Sequence, residues 1–302
     1  GKNNKNYLDI SFKDSTGKIG GKVWNFDTDQ SDGFKANDIV YIEGEVSTFN
    51  EKLQLTINNI RLKHPAEVVT LTDFVKNSPE SGLSMYDRIY NTISEKVKNE
   101  ELKRLTLAIY SDYHDRLIVY PAAISFHHAE IGGLLRHTLS IMRSVYVLQG
   151  VYPFLDIDLL LCGAALHDIG KIGVPDDVLK KNGRLTDDEY RQIKEHTNIG
   201  AKILGNITSI DNIADGAKFH HERYDGKGYP NNLKGEDIPV IGRIIAVADV
   251  YDALMSRRCY KAEMKQEDVV GELIKGSGTQ FDPEIVSLFV EILKEKQTDN
   301  DS

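Results

Sequence analysis

Ala164-Ala165-Leu166-His167-Asp168-Ile169-Gly170-Lys171 is the stretch whose reading decides the fold of the larger part of this chain. An apolar run from Leu159 to Leu166 ends on an adjacent histidine and aspartate, a pair that few structural roles require at the end of a buried helix. Imidazole nitrogen and carboxylate oxygen together suit divalent transition ions. Lys171 follows His167 by four residues and Asp168 by three, so it returns to the same helical face. A lone His-Asp pair is weak evidence, and the reading depends on what else the chain supplies.

Further candidate ligands stand on both sides of it. Upstream is Gly132-Gly133-Leu134-Leu135-Arg136-His137-Thr138, and downstream are Glu195-His196-Thr197 and Ala246-Val247-Ala248-Asp249-Val250-Tyr251-Asp252-Ala253. Between the last two lies His220-His221-Glu222-Arg223-Tyr224-Asp225-Gly226-Lys227-Gly228-Tyr229-Pro230. Its glycines open backbone conformations closed to other residues and Pro230 fixes a sharp turn, so it reads as a shaped loop beside paired histidines. The plain alternative is a structural turn. Thr186-Asp187-Asp188-Glu189 is a capping box that starts the helix delivering His196. His64 and His114 are isolated in polar surroundings and read as surface or core histidines.

The chain has 302 residues, 40% hydrophobic and 27% charged, an ordinary globular composition with room for two domains. From Tyr7 to Leu62 short runs alternate apolar and polar residues between turn signals, which predicts a small β-barrel or sandwich. After His64-Pro65-Ala66-Glu67 the period lengthens to about 3.6. Helix starts are read at Thr72-Asp73-Phe74 and Ser84-Met85-Tyr86-Asp87, with Ile89, Ile93 and Val97 on one face.

The formal net charge of -9 argues against a protein that grips nucleic acid through a basic surface. It leaves room for a small nucleotide held through metals, and its plainest reading is solubility. The apolar run is too short to cross a bilayer, no signal-peptide pattern opens the chain, and Cys162 and Cys259 lie far apart. These features imply a cytoplasmic protein with no membrane partner.

His167-Asp168, with His137 before and Asp249 after, resembles the HD phosphohydrolase superfamily. The added His196, His220-His221 and the Asp225-Gly226-Lys227-Gly228-Tyr229-Pro230 run resemble its HD-GYP family, which typically hydrolyses cyclic di-GMP. The likeness runs from about Leu159 to Leu293 and includes Arg258-x-Tyr260-Lys261 and Gly278-Thr279-Gln280-Phe281-Asp282-Pro283. Cys259 stands where that family usually has proline.

The Asp14-x-x-Gly17 turn, Lys22-Val23-Trp24, Gly44-Glu45-Val46 and the strand leading to Ile60-Arg61-Leu62 resemble an OB-fold. Together with Tyr120-Pro121-Ala122-Ala123 and His127-His128-x-x-x-Gly132-Gly133-Leu134-Leu135-x-His137-Thr138, they resemble YhaM-type 3′-to-5′ exoribonucleases.

The resemblance implies an OB-like barrel over residues 1–66, a helical linker and start of the helical domain over 67–120, and an all-α HD-GYP domain over 121–297. It implies a first metal on His137, His167, Asp168 and Asp249 and a second on Asp168, His196, His220 and His221. Some HD-GYP members hold a third through a glutamate where this chain has Gly133, so two ions are expected, iron or manganese. Such ions activate a water for attack on the phosphodiester without a protein nucleophile. Asp168 bridges, Lys171 neutralises the scissile phosphate, and Arg258 and Lys261 meet the other phosphate of a cyclic dinucleotide. Gly228, Tyr229 and Pro230 face the substrate or a partner. His128 is either a ligand or substrate contact or, as the preferred alternative, a packed or capping histidine.

Trp24, Phe26, Tyr41 and Phe49 form either a stacking platform for bases or the barrel core. Lys2 through Lys63 carries nine basic and nine acidic residues, so single-stranded nucleic acid would bind there weakly. Three functions remain in view: cyclic di-GMP phosphodiesterase, single-strand exonuclease fed by the barrel, and non-catalytic nucleotide receptor. The full ligand set disfavours the third.

Overall fold

A computed structural model describes residues 7–14, 16–24, 35, 38–49, 52–69, 73–74, 78–122, 131–148, 155–179, 181, 184–205, 210–256 and 264–300. The chain divides into two compact units, Gly1–Lys76 and Asn77–Ser302.

In the first unit, β1 (Tyr7–Lys13), β2 (Lys18–Trp24), β3 (Val40–Phe49) and β4 (Lys52–Leu62) form one sheet in the order β1-β2-β4-β3. Alternation works as the sequence implies. Leu8, Ile10 and Phe12 are partly buried between exposed Tyr7, Asp9, Ser11 and Lys13. Asp14 closes the β1–β2 hairpin, its Oδ1 accepting from the Thr16 and Gly17 amides at 2.8 and 3.0 Å. Where the sequence suggests a closed barrel, the described strands form an open sheet with β1 and β3 at its edges. Most of the segment joining β2 to β3, residues 25–34, lies outside the described residues.

Three of the aromatics proposed for stacking lie outside the core of this sheet. Trp24, Tyr41 and Phe49 are 51%, 43% and 63% exposed. Lys22 lies 5.1 Å from the Tyr7 ring centre and 6.0 Å from that of Trp24, and Arg61 lies 4.4 Å from that of Tyr41. Phe26 falls outside the described residues.

The second unit is helical. α1 (Gly82–Lys96) is capped by Ser81, whose hydroxyl accepts from the Ser84 amide at 3.1 Å. The helix therefore starts ahead of the Ser84-Met85 position read from the sequence, because Ser81 offers the capping oxygen. Ile89, Ile93 and Val97 are all buried, as their spacing implies. α2 (Glu100–Asp112) follows a cap by Asn99, then α3 (His114–Leu117) and α4 (Gly133–Leu148).

α5 (Ile157–Leu166) starts at Asp156, whose carboxylate accepts from the Leu159 amide, and every residue from Leu160 to Leu166 is buried. A helix apolar on all sides must be surrounded, and α5 packs against α1, α2, α4, α9 (Asp215–Phe219) and α10 (Val240–Ser256). Each fully buried leucine there contributes about 1.5–3 kcal/mol of transfer free energy. Its C-terminal carbonyls, which helix geometry leaves short of donors, find them nearby. The buried Tyr110 hydroxyl donates to the Ala165 carbonyl at 2.9 Å, and a ring nitrogen of His167 meets that of Ala164.

A tight 3-10 turn, Ile169–Gly173, then leads to α6 (Asp176–Leu179), α7 (Asp187–Lys194) and α8 (His196–Gly205). The capping box at Thr186 and Glu189 starts α7 as expected, but that helix ends at Lys194 and His196 opens α8 instead. α11 (Gln266–Gly276) and α12 (Pro283–Asn300) complete the unit, α12 capped by Asp282 through the Glu284 amide at 2.9 Å. Among the described residues no helix is long and apolar enough to cross a membrane.

Candidate metal centre

All seven predicted ligands converge at the C-terminal end of α5. His137 comes from α4, His167 caps α5, Asp168 opens the 3-10 turn, His196 begins α8, His220 and His221 follow α9, and Asp249 lies on α10. Donor atoms of His137, His167 and Asp168 lie within 4.8 Å of one another, and so do those of His196, His220 and His221. Asp249 Oδ1 is 3.2 Å from His137 Nε2 and joins the first group.

Asp168 sits between the groups. Its Oδ2 is 3.4 Å from His167 Nε2 and 3.6 Å from His137 Nε2, while its Oδ1 is 3.5 Å from His196 Nε2 and 3.8 Å from His220 Nε2. Oδ2 accepts from the Lys171 ammonium at 2.6 Å, but Oδ1 is buried without a hydrogen-bond partner among the described residues. A buried carboxylate oxygen left unpaired is costly, and a cation among these donors would satisfy it. The residues present therefore fit divalent metal ions.

The imidazoles are held from behind. Nδ1 of His167, His196 and His220 meets the carbonyls of Ala164, Ile193 and Gly216 at 2.7, 2.6 and 2.9 Å. A carbonyl only accepts, so each Nδ1 carries the proton and each Nε2 keeps its lone pair for the cluster. Burial holds His196 down to about 3 and His221 to about 4, and pushes His220 well below the usual histidine range. These rings are neutral at pH 7.

The carboxylates are the charged partners. Burial pushes Asp168 upward, but Lys171 and His167 outweigh it and leave the group well below the usual carboxylate range. Burial pushes Asp249 upward too, and the hydrogen bond to His137 outweighs it and lowers the group. Desolvation pulls His137 down, but Asp249 and Asp252 outweigh it and raise the ring above the usual histidine range.

Lys171 donates also to the Ala122 carbonyl at 2.8 Å, which fixes its ammonium at the edge of the cluster. Tyr229 stacks on His221 with ring centres 4.8 Å apart, and Lys194 lies 5.7 Å from the Tyr229 ring centre. The loop carrying Tyr229 is pinned by buried Glu222, whose carboxylate accepts from the Asn231 and Leu233 amides at 2.6 and 3.1 Å. Gly228 has no alternative, since a Cβ there would lie 2.3 Å from the Arg223 nitrogen. His128, Arg258 and Lys261 lie outside the described residues. His64 belongs to the first unit, and His114 lies against Asp115 and the Tyr86 ring.

Two buried acids around the cluster, Glu222 and Asp252, had no role in the sequence reading. Glu222 holds the loop, and Asp252 lies 2.7 Å from Nδ1 of His137. The signal for Asp252 was its spacing: three residues after Asp249, it shares a helical face with that ligand.

Comparison with known proteins agrees with this architecture. Residues 137–285 match the HD domain family and residues 2–62 the OB-fold nucleic acid binding domain. The chain carries an HD domain with an OB-fold domain ahead of it. It is similar to a cyclic di-GMP phosphodiesterase of Vibrio cholerae, 45% identical over 143 residues that cover 45% of this chain and 29% of that protein. A 3′3′-cGAMP-specific phosphodiesterase 2 of the same species is 39% identical, covering 45% of this chain and 26% of its own. A 3′-5′ exoribonuclease YhaM of Oceanobacillus iheyensis is 34% identical over 170 residues, 56% of this chain and 53% of that one. The chain thus spans between 26% and 53% of the length of these curated relatives.

Proposed function

We propose that this protein is a metal-dependent phosphodiesterase acting on cyclic di-GMP or a related cyclic dinucleotide. The observation that carries the reading is the two-sided Asp168 carboxylate, one group of histidines on each oxygen and Oδ1 without a hydrogen-bond partner among the described residues. In this reading His137, His167, Asp168 and Asp249 hold one ion, and Asp168, His196, His220 and His221 a second. Two such ions, iron or manganese, supply Lewis acidity toward a phosphoryl oxygen and make a bound water acidic near neutral pH.

The chain's own groups do the rest. Lys171 faces the scissile phosphate from the Asp168 side, and the His221–Tyr229 stack walls the opposite histidine group. Arg258 and Lys261 are assigned to the distal phosphate. The two phosphodiesterase relatives match this half of the chain and support a cyclic dinucleotide. The cytoplasm, where Cys162 stays a free thiol, is the compartment this reading assigns.

A second reading, 3′-to-5′ exonuclease action on single strands, is favoured by the exposed Trp24, Tyr41 and Phe49 and by the likeness to the exoribonuclease. In that case the OB-fold presents a free 3′ end to the same cluster. One assay separates the two: cyclic di-GMP and a 3′-ended single-stranded RNA, each with Mn²⁺ and with Fe²⁺. Turnover of the dinucleotide is expected. RNA degradation with no action on cyclic di-GMP would overturn the preferred substrate and leave the exonuclease.

A further inference from the structure

His137 is anchored differently from His167, His196 and His220. His167, His196 and His220 each place Nδ1 on a neutral backbone carbonyl of their own segment. His137 places Nδ1 on a carboxylate from another helix, Asp252 Oδ2 at 2.7 Å. Both residues are buried, His137 at 2% and Asp252 at 4% exposure, so little water screens the contact. Asp249 and Asp252 are both on α10, the first toward Nε2 of His137 at 3.2 Å and the second toward Nδ1. One helix therefore grips a single imidazole from both of its nitrogens.

A charged acceptor behind a ring makes the far nitrogen a stronger donor than a neutral carbonyl does, and it fixes the ring's rotation. From this geometry we infer that Asp252 is a positioning residue that makes the two halves of the cluster unequal, the half holding His137 and Asp249 binding its ion more tightly. The inference rests on the reading of these histidines as metal ligands and is independent of the substrate.

Titration of the whole chain with Mn²⁺ alone, followed by calorimetry and by metal content after gel filtration, tests it. The wild type should show one tight and one weaker site. Asp252→Ala should weaken the tight site by about 10- to 100-fold and leave the weaker one within about twofold. Asp252→Asn keeps an acceptor oxygen on Nδ1 but loses the charge, and should fall between the two. If Asp252→Ala fails to fold, as near-ultraviolet circular dichroism would report, Asp252→Asn carries the comparison. In the His137→Ala background, Asp252→Asn should cost no further Mn²⁺ affinity, whereas a general structural role would add its loss there too. Equal weakening of both sites, or no weakening, would overturn the inference. A wild type that binds no Mn²⁺ would overturn the metal reading as well.

Discussion

The backbone of Gly170 lies so close to the His196 carbonyl that a Cβ on Gly170 would stand 1.9 Å from that oxygen. This approach brings the turn after Asp168 onto the first residue of α8, and with it His196 to within 3.5 Å of Asp168. Gly170→Ala must push the two segments apart. Overpacking of this kind costs about 1–3 kcal/mol. We expect a lower melting temperature together with reduced binding of the ion assigned to His196, His220 and His221. An unchanged melt with full metal content would mean that the turn yields without moving α8.

Among the described residues Asp168 is the one that reaches both groups of histidines. Asp168→Ala should leave neither ion tightly held, whereas His196→Ala should lose only one. Metal analysis of the purified variants distinguishes these outcomes, and one ion retained at wild-type affinity in Asp168→Ala would remove the bridging role.

None of the seven ligands lies in the first compact unit, Gly1–Lys76. A chain beginning at Asn77 should fold, bind metal and still hydrolyse cyclic di-GMP. Loss of dinucleotide turnover with metal content intact would instead favour the exonuclease reading, in which the OB-fold delivers substrate.

Metal-free protein should be weakened by acid in a defined window. His196 and His221 are held down to about 3 and about 4 from the ordinary 6.5. A group with a depressed folded pKa binds fewer protons folded than unfolded. Its stabilising contribution is complete above pH 6.5 and is lost as pH falls through the folded values. Melts of chelator-treated protein should therefore decline from about pH 6.5 toward pH 4. A flat melting temperature across that range would contradict burial of these rings in neutral form.

The convergence of the seven candidate ligands was legible in the sequence because few side chains can donate to such ions, and a histidine beside an aspartate after an apolar run has little else to do. Asp252 stood in a motif already noted, but its role exists only because His137, from a distant part of the chain, lies opposite it. Glu222 is similar: its amide partners Asn231 and Leu233 become neighbours only once the loop closes. The aromatics of the sheet could not be divided between core and surface, since alternation sets which residues share a face and leaves open which face is covered. The start of α1 was misplaced because Ser81 and Ser84 both suit a cap, and only the backbone geometry chooses between them.

The candidate ligands come from five separated stretches, at His137, His167-Asp168, His196, His220-His221 and Asp249. An unfolded chain keeps only the adjacent pairs together and has little to offer a metal ion. By mass action, ions that bind only the folded form add about 2.7 kcal/mol of stability when free metal is a hundredfold above Kd. If these residues hold metal, the fraction of the protein that escapes unfolding and proteolysis is tied to the cell's supply of it, so scarcity would remove the folded chain as well as the occupied site.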